Sequence, residues 1–200
     1  MQSSQPATMT DLLRIHTKEY LEKFKALSDV DGGLLGLRTP FARDGFEIAA
    51  LSSGLAISAI KDVLKGKCKN SYSLSRPPGH HCLPNYPNGF CLLANIAIAI
   101  DSAISENLGK KFCVIDWDVH HGNGTEAIFY DRDDVLTISI HQERNYPVDT
   151  GMETDKGKGE GLGYNVNLPL PAGSGHNTYL NLFDRVISPL VSNYRPDIII

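Results

Sequence analysis

The 200 residues carry 19 Lys and Arg against 23 Asp and Glu, a net charge of −4, with 42% apolar and 21% charged side chains. That balance fits one ordinary globular domain able to bury a core without staples, and it argues against the clustered basic surface of a nucleic-acid binder. The longest apolar run, residues 90–100, is interrupted by Asn95 and is too short to span a bilayer, and MQSSQPATMT lacks the basic n-region and apolar core of a signal peptide.

In chain order, residues 10–27 set Leu12, Leu13, Ile15, Tyr20, Leu21 and Phe24 at helical spacing and predict one amphipathic helix. Glycine-rich residues 29–43 read as a loop, 44–64 as a helix stopped at Gly66, and 71–75 as a short strand entering Arg76-Pro-Pro-Gly79. A third helix is expected over 90–108, ended by Gly109, and a buried strand over 111–116. A short helix over 126–130, strands over 135–140 and 164–168, a helix over 177–194 despite Pro189, and a strand over 197–200 complete the pattern. Strand and helix alternate, which predicts an α/β domain with a mainly parallel sheet and a ligand site beyond the carboxyl ends of its strands. Cys68, Cys82, Cys91 and Cys113 form no CxxC pair and are expected as reduced thiols in a cytoplasmic protein without a membrane role.

Polar clusters fall at those strand ends. His80 and His81 follow two prolines and a glycine that stiffen the backbone, and imidazole suits proton transfer near neutral pH; a structural pair is the plain alternative. Asp116, Asp118 and His120 alternate along an extended segment before Gly122-Asn123-Gly124, so they project to one side. A carboxylate and an imidazole so placed suit zinc, or form a hydrogen-bonded pair; two donors fall short of the three that a catalytic zinc needs. Ser139 and His141 end another apolar strand.

Together RPPGHH, NGFCLLAN, DWDVHHGNGT, SIH and GYNVNLPLPAG, in that order, resemble the histone deacetylase superfamily, nearest its class II and bacterial deacetylase-like amidohydrolase members, over residues 10–200. The resemblance implies the arginase/deacetylase α/β fold, a mainly parallel sheet with helices on both faces, and residues 1–200 as a single partial catalytic domain. It implies catalytic zinc on Asp118 and His120, with His81 as general base and His80 assisting, Asp116 bonded to His80, and Asn123 beside His81. It further implies a structural potassium ion held by Asp116 and Ser139 with backbone carbonyls of Asp118, His120 and Ile140. Gly89 and Phe90 match the acetyl-lysine channel, and Tyr146 its opposite wall. A core residue at a helix start is the alternative for Phe90.

The family's third metal ligand follows the strand at 197–200, and its oxyanion-stabilising tyrosine comes later, so on this resemblance the sequence is expected to be a fragment, inactive or nearly so on its own, with an open apolar sheet edge. The implied substrates are acetylated proteins or peptides, with acetylpolyamines as the nearest alternative; oligomers are compatible. A two-manganese ureohydrolase needs further Asp and His ligands and lacks RPPGHH. A non-enzymatic binding module is the remaining reading.

Overall fold

The structure, a computed structural model, describes residues 3–200. It divides into two compact units, the first closing at Gly109 and the second spanning Lys110–Ile200.

In the first unit, α1 (Met9–Leu12) is capped by Thr8, whose hydroxyl accepts the Asp11 N–H while the Asp11 carboxylate takes the Thr8 N–H. The single helix expected over 10–27 is therefore two. Thr17 starts a second helix, α2 (Lys18–Ser28), by capping Tyr20 N–H, and donates its own N–H to Pro84 O. Where a loop was expected, β1 (Gly32–Leu34) and β2 (Pro40–Ala42) pair as a small antiparallel hairpin. The third helix, α3 (Gly45–Leu64), ends as predicted before Gly66 and packs against α4 (Asn95–Ser105). The latter starts five residues later than the apolar run suggested, because Phe90 has a left-handed backbone (φ 66°) that a helix cannot contain. Residues 71–75 form no strand. Tyr72 and Leu74 are exposed, and the segment has no neighbouring strand to take its backbone groups.

The second unit is built on β3 (Phe112–Asp116), β4 (Val135–Gln142), β5 (Asn165–Leu170) and β6 (Ile198–Ile199), all parallel in the order β5-β4-β3-β6. One face buries Cys113, Leu136, Ile138 and Ile140 against α6 (His176–Leu182), α7 (Ser188–Tyr194) and the turn joining them, through Ile187 of the turn and Val191 and Tyr194 of α7. These two helices are joined by a π-type turn, Phe183–Ile187, in which Ser188 N–H reaches back to Phe183 O. The widened turn passes Pro189, which has no N–H to give, and so keeps the predicted 177–194 segment helical. The opposite face carries Thr137, Ser139, His141, Asn165 and Asn167, with α5 (Asn123–Phe129) over it through Glu126. Helices thus cover both faces of a parallel sheet, as expected for the α/β class. No helix among the described residues is long and apolar enough to cross a membrane.

Candidate metal and catalytic site

Parallel register sets Asp116 opposite Ser139, and Ser139 opposite Asn167, in one row near the carboxyl ends of three strands. Beyond β3 the chain leaves the sheet, and its own carboxylates shape it. The Asp118 N–H donates to Asp116 Oδ1 (3.0 Å), and the His120 N–H donates to Asp118 Oδ1 (2.8 Å). Gln142 N–H holds Val119 O at 2.9 Å, tying the turn back to β4. The result sets Asp118 Oδ1 3.3 Å from His120 Nδ1, both side chains half-exposed. Donors about 2.0–2.1 Å from a tetrahedral zinc stand ~3.3–3.4 Å apart, so this pair fits one edge of such a centre. Among the described residues no group of three or more His, Cys, Asp or Glu side chains is placed to hold a metal ion, so these residues supply two donors. Tyr146 stands edge-on to His120, ring centroids 5.7 Å apart at 85°.

Ser139 is prepared as an oxygen donor by His141. Gly151 O can only accept, so the His141 Nε2 that contacts it at 3.0 Å carries the proton; Nδ1 then accepts from the Ser139 hydroxyl, also at 3.0 Å. Burial, reinforced by His121 nearby, pushes the His141 pKa down and keeps the ring neutral. The Ser139 oxygen therefore keeps its lone pairs free, and with Asp116 it lines a cavity of about 10 Å3. The chemistry of that donor pair fits a hard monovalent cation. Beside it, burial alone would raise the Glu126 carboxyl, but bonds from His121, Asn167 and Asn165 outweigh it and hold the pKa low.

Of the remaining predicted residues, His80, His81, Gly89 and Phe90 lie in the first unit and Asn123 in the second. The rings of His80 and His81 are 3.9 Å apart, His81 is buried, and its N–H meets Cys91 Sγ at 3.4 Å. Gly89 (φ 51°) and Phe90 (φ 66°) donate their N–H groups to Leu37 O and Arg38 O, each at 3.0 Å. A left-handed aromatic residue is costly and persists only where its surroundings impose it. Phe90 is 61% exposed, so it is not a core residue at a helix start. Asn123 opens α5, its N–H on His121 O.

Sequence reasoning gave no role to two histidines that organise these segments. His16 is 3% exposed; its Nδ1 faces Pro84 O at 3.1 Å, and its Nε2 accepts the Ala94 N–H at 3.0 Å. Burial lowers its pKa to about 4, against carbonyl contacts at Pro84 and Leu83 that favour the charged form. His141 was visible as the third residue of Ser-Ile-His, but its part depends on the distant Gly151 carbonyl.

The histone deacetylase domain family matches residues 1–200. The chain is 50% identical over 200 residues to a histone deacetylase-like amidohydrolase of Pseudomonas aeruginosa, covering 100% of this chain and 53% of that protein. It is 40% identical over 193 residues to a probable deacetylase of Archaeoglobus fulgidus (96% and 53% covered), and 36% identical over 207 residues to histone deacetylase HDA1 of Saccharomyces cerevisiae (97% and 29%). The crystal structure of the HDA15 HD domain superposes with a TM-score of 0.95 at 34% identity, covering 99% of this chain and 58% of that one. The chain spans about half the length of the bacterial and archaeal relatives it matches. By sequence and by fold, the chain belongs to the histone deacetylase family.

Proposed function

We propose that the protein of which these residues are part removes acetyl groups from acetyl-lysine by zinc-dependent amide hydrolysis. The observation that carries this reading is the Asp118–His120 donor pair, 3.3 Å apart at the end of β3, in a chain matched throughout by the deacetylase family. When bound, zinc supplies Lewis acidity at the acetyl carbonyl and makes the attacking water more acidic. Asp118 and His120 would hold it. On the family resemblance, His81 would take the proton from water, and His80 would assist protonation of the leaving amine, with Asp116 as the carboxylate matched to it. Asn123, being uncharged, does not bias His81 towards the protonated form as a carboxylate would. On the resemblance, Gly89 and Phe90 would contact the apolar lysine stem, and Tyr146 is a further candidate for the substrate channel. A potassium ion on Asp116, Ser139 and the Asp118, His120 and Ile140 carbonyls is part of the same reading, supported by the free lone pairs of Ser139.

The two compact units are read as parts of one catalytic domain, because one family match spans both. A reducing, cytoplasmic setting is the one in which Cys68, Cys82, Cys91 and Cys113, which form no disulfide, are expected. The experiment is acetate release by the full-length natural protein from an acetyl-lysine peptide and from an acetylated polyamine, with and without a zinc chelator. Chelator-sensitive turnover favouring the peptide is expected. No release, chelator-insensitive release, or a tenfold preference for the polyamine contradicts the reading.

A further inference from the structure

Residues 143–155 carry Tyr146 but contain no helix or strand, and they border a cavity of about 650 Å3. Two buried imidazoles back them from the sheet side. His121 and His141 are each 2% exposed, and their rings pack 4.7 Å apart, tilted by 49°. Thr150 Oγ1 donates to Pro147 O (2.8 Å) and so receives the proton of His121 Nδ1 (3.0 Å); Gly151 O receives that of His141 Nε2 (3.0 Å). The His121 N–H also reaches Tyr146 O at 3.3 Å. Gly151 is seated so closely, at φ 74°, that a Cβ there would meet His141 Nε2 at 2.5 Å and His121 Cγ at 2.7 Å. From below, Asn165 and Asn167 donate to the carbonyls of Asp155 and Met152 while also holding Glu126, whose Oε2 lies 3.3 Å from His121 Nε2.

Apolar side chains could fill the same buried volume. These rings instead aim each Nδ1–H or Nε2–H at one backbone or hydroxyl group of the segment, which fixes direction as well as packing. His121 is also the residue after His120, and Ser139 bonds His141. The pair therefore joins three things: the metal-donor turn, the candidate cation ligand, and the segment bearing Tyr146.

We propose that His121 and His141 are positioning residues that seat the Tyr146 segment against the His120 turn, and so set how closely the Tyr146 wall meets the substrate. The consequence for substrate rests on the deacetylase reading; the seating itself does not.

Thr150 gives the cleanest handle, because Thr150→Val removes the acceptor of His121 Nδ1 while keeping the volume, and Thr150→Ser restores the hydroxyl. In the full-length natural protein, amide hydrogen exchange over 144–152 is expected to rise about fivefold in Thr150→Val, the weight of one neutral hydrogen bond, with β4 unchanged. For an acetyl-lysine peptide KM should rise about fivefold with kcat within twofold, and Thr150→Ser should return both quantities. Unchanged exchange over 144–152 would overturn the seating, as would an increase extending through β4 with kcat and KM degraded together, or a failure of Thr150→Ser to rescue. A wild-type protein that releases no acetate would instead sink the deacetylase reading, while the exchange measurement still decides the seating.

Discussion

Residues 112–142 present Asp116, Ser139 and His141 from strands whose backbones are paired on both sides, and the adjoining turn is closed by its own carboxylates. Residues 76–94 carry His80, His81, Gly89 and Phe90 without any helix or strand. They are held by side chains sent in from elsewhere in the first unit. His16 takes Pro84 O and Ala94 N–H, the Tyr20 hydroxyl donates to Leu92 O, and the Asn95 amide donates to Pro77 O and Ser52. The first region is positioned by a repeated lattice, the second by single bonds. A lattice resists pH and depends on apolar packing; single buried bonds are exposed to the protonation state of the groups that make them.

The largest effect should come from breaking the lattice region's packing. Ile140 is fully buried between the sheet and α7, and Ile140→Ala should cost about 3–4 kcal/mol through lost burial and the cavity left behind, read as a shift in denaturant midpoint at constant slope.

Acid should sharpen the contrast next. The His16 pKa is lowered from 6.5 to about 4 by burial, so the unfolded chain takes up the proton first. Its contribution is complete above 6.5 and is lost as pH falls through that window, to a total of roughly 3 kcal/mol. His16→Gln, which offers a donor and an acceptor but does not titrate, should flatten this part of the stability profile. Glu126, held below its ordinary 4.5, keeps its contribution above that value and loses it only on further acidification, so the region around the strand ends gives way later. A profile unchanged by His16→Gln would remove the contrast.

The same difference explains what could be read in the sequence. The 112–116 and 135–142 strands were visible as short apolar runs, and Asp116, Asp118, His120 and Ser139 stood out as polar residues at their ends, because a buried parallel strand writes its environment into adjacent residues. The 45–64 helix was visible for a similar local reason, its Ala-rich packing and Gly66 stop. The break between α1 and α2 was not, since it depends on Thr17 and His16 meeting residues 84 and 94. Residues 71–75 have strand composition but no partner strand, and a strand exists only with one. Phe90 reads as the start of a helix until its backbone is held left-handed by Arg38 O. The motifs named the candidate residues; the bonds that orient them are long-range.

The central claim is that Asp118 and His120 hold the metal on which hydrolysis depends. X-ray absorption at the zinc edge of the full-length natural protein tests it most directly, compared with His120→Ala at equal metal loading. The account predicts a zinc shell of nitrogen and oxygen at about 2.0–2.2 Å with an imidazole signature that disappears in His120→Ala. A sulfur-containing shell, or an imidazole signature that survives the substitution, would contradict it.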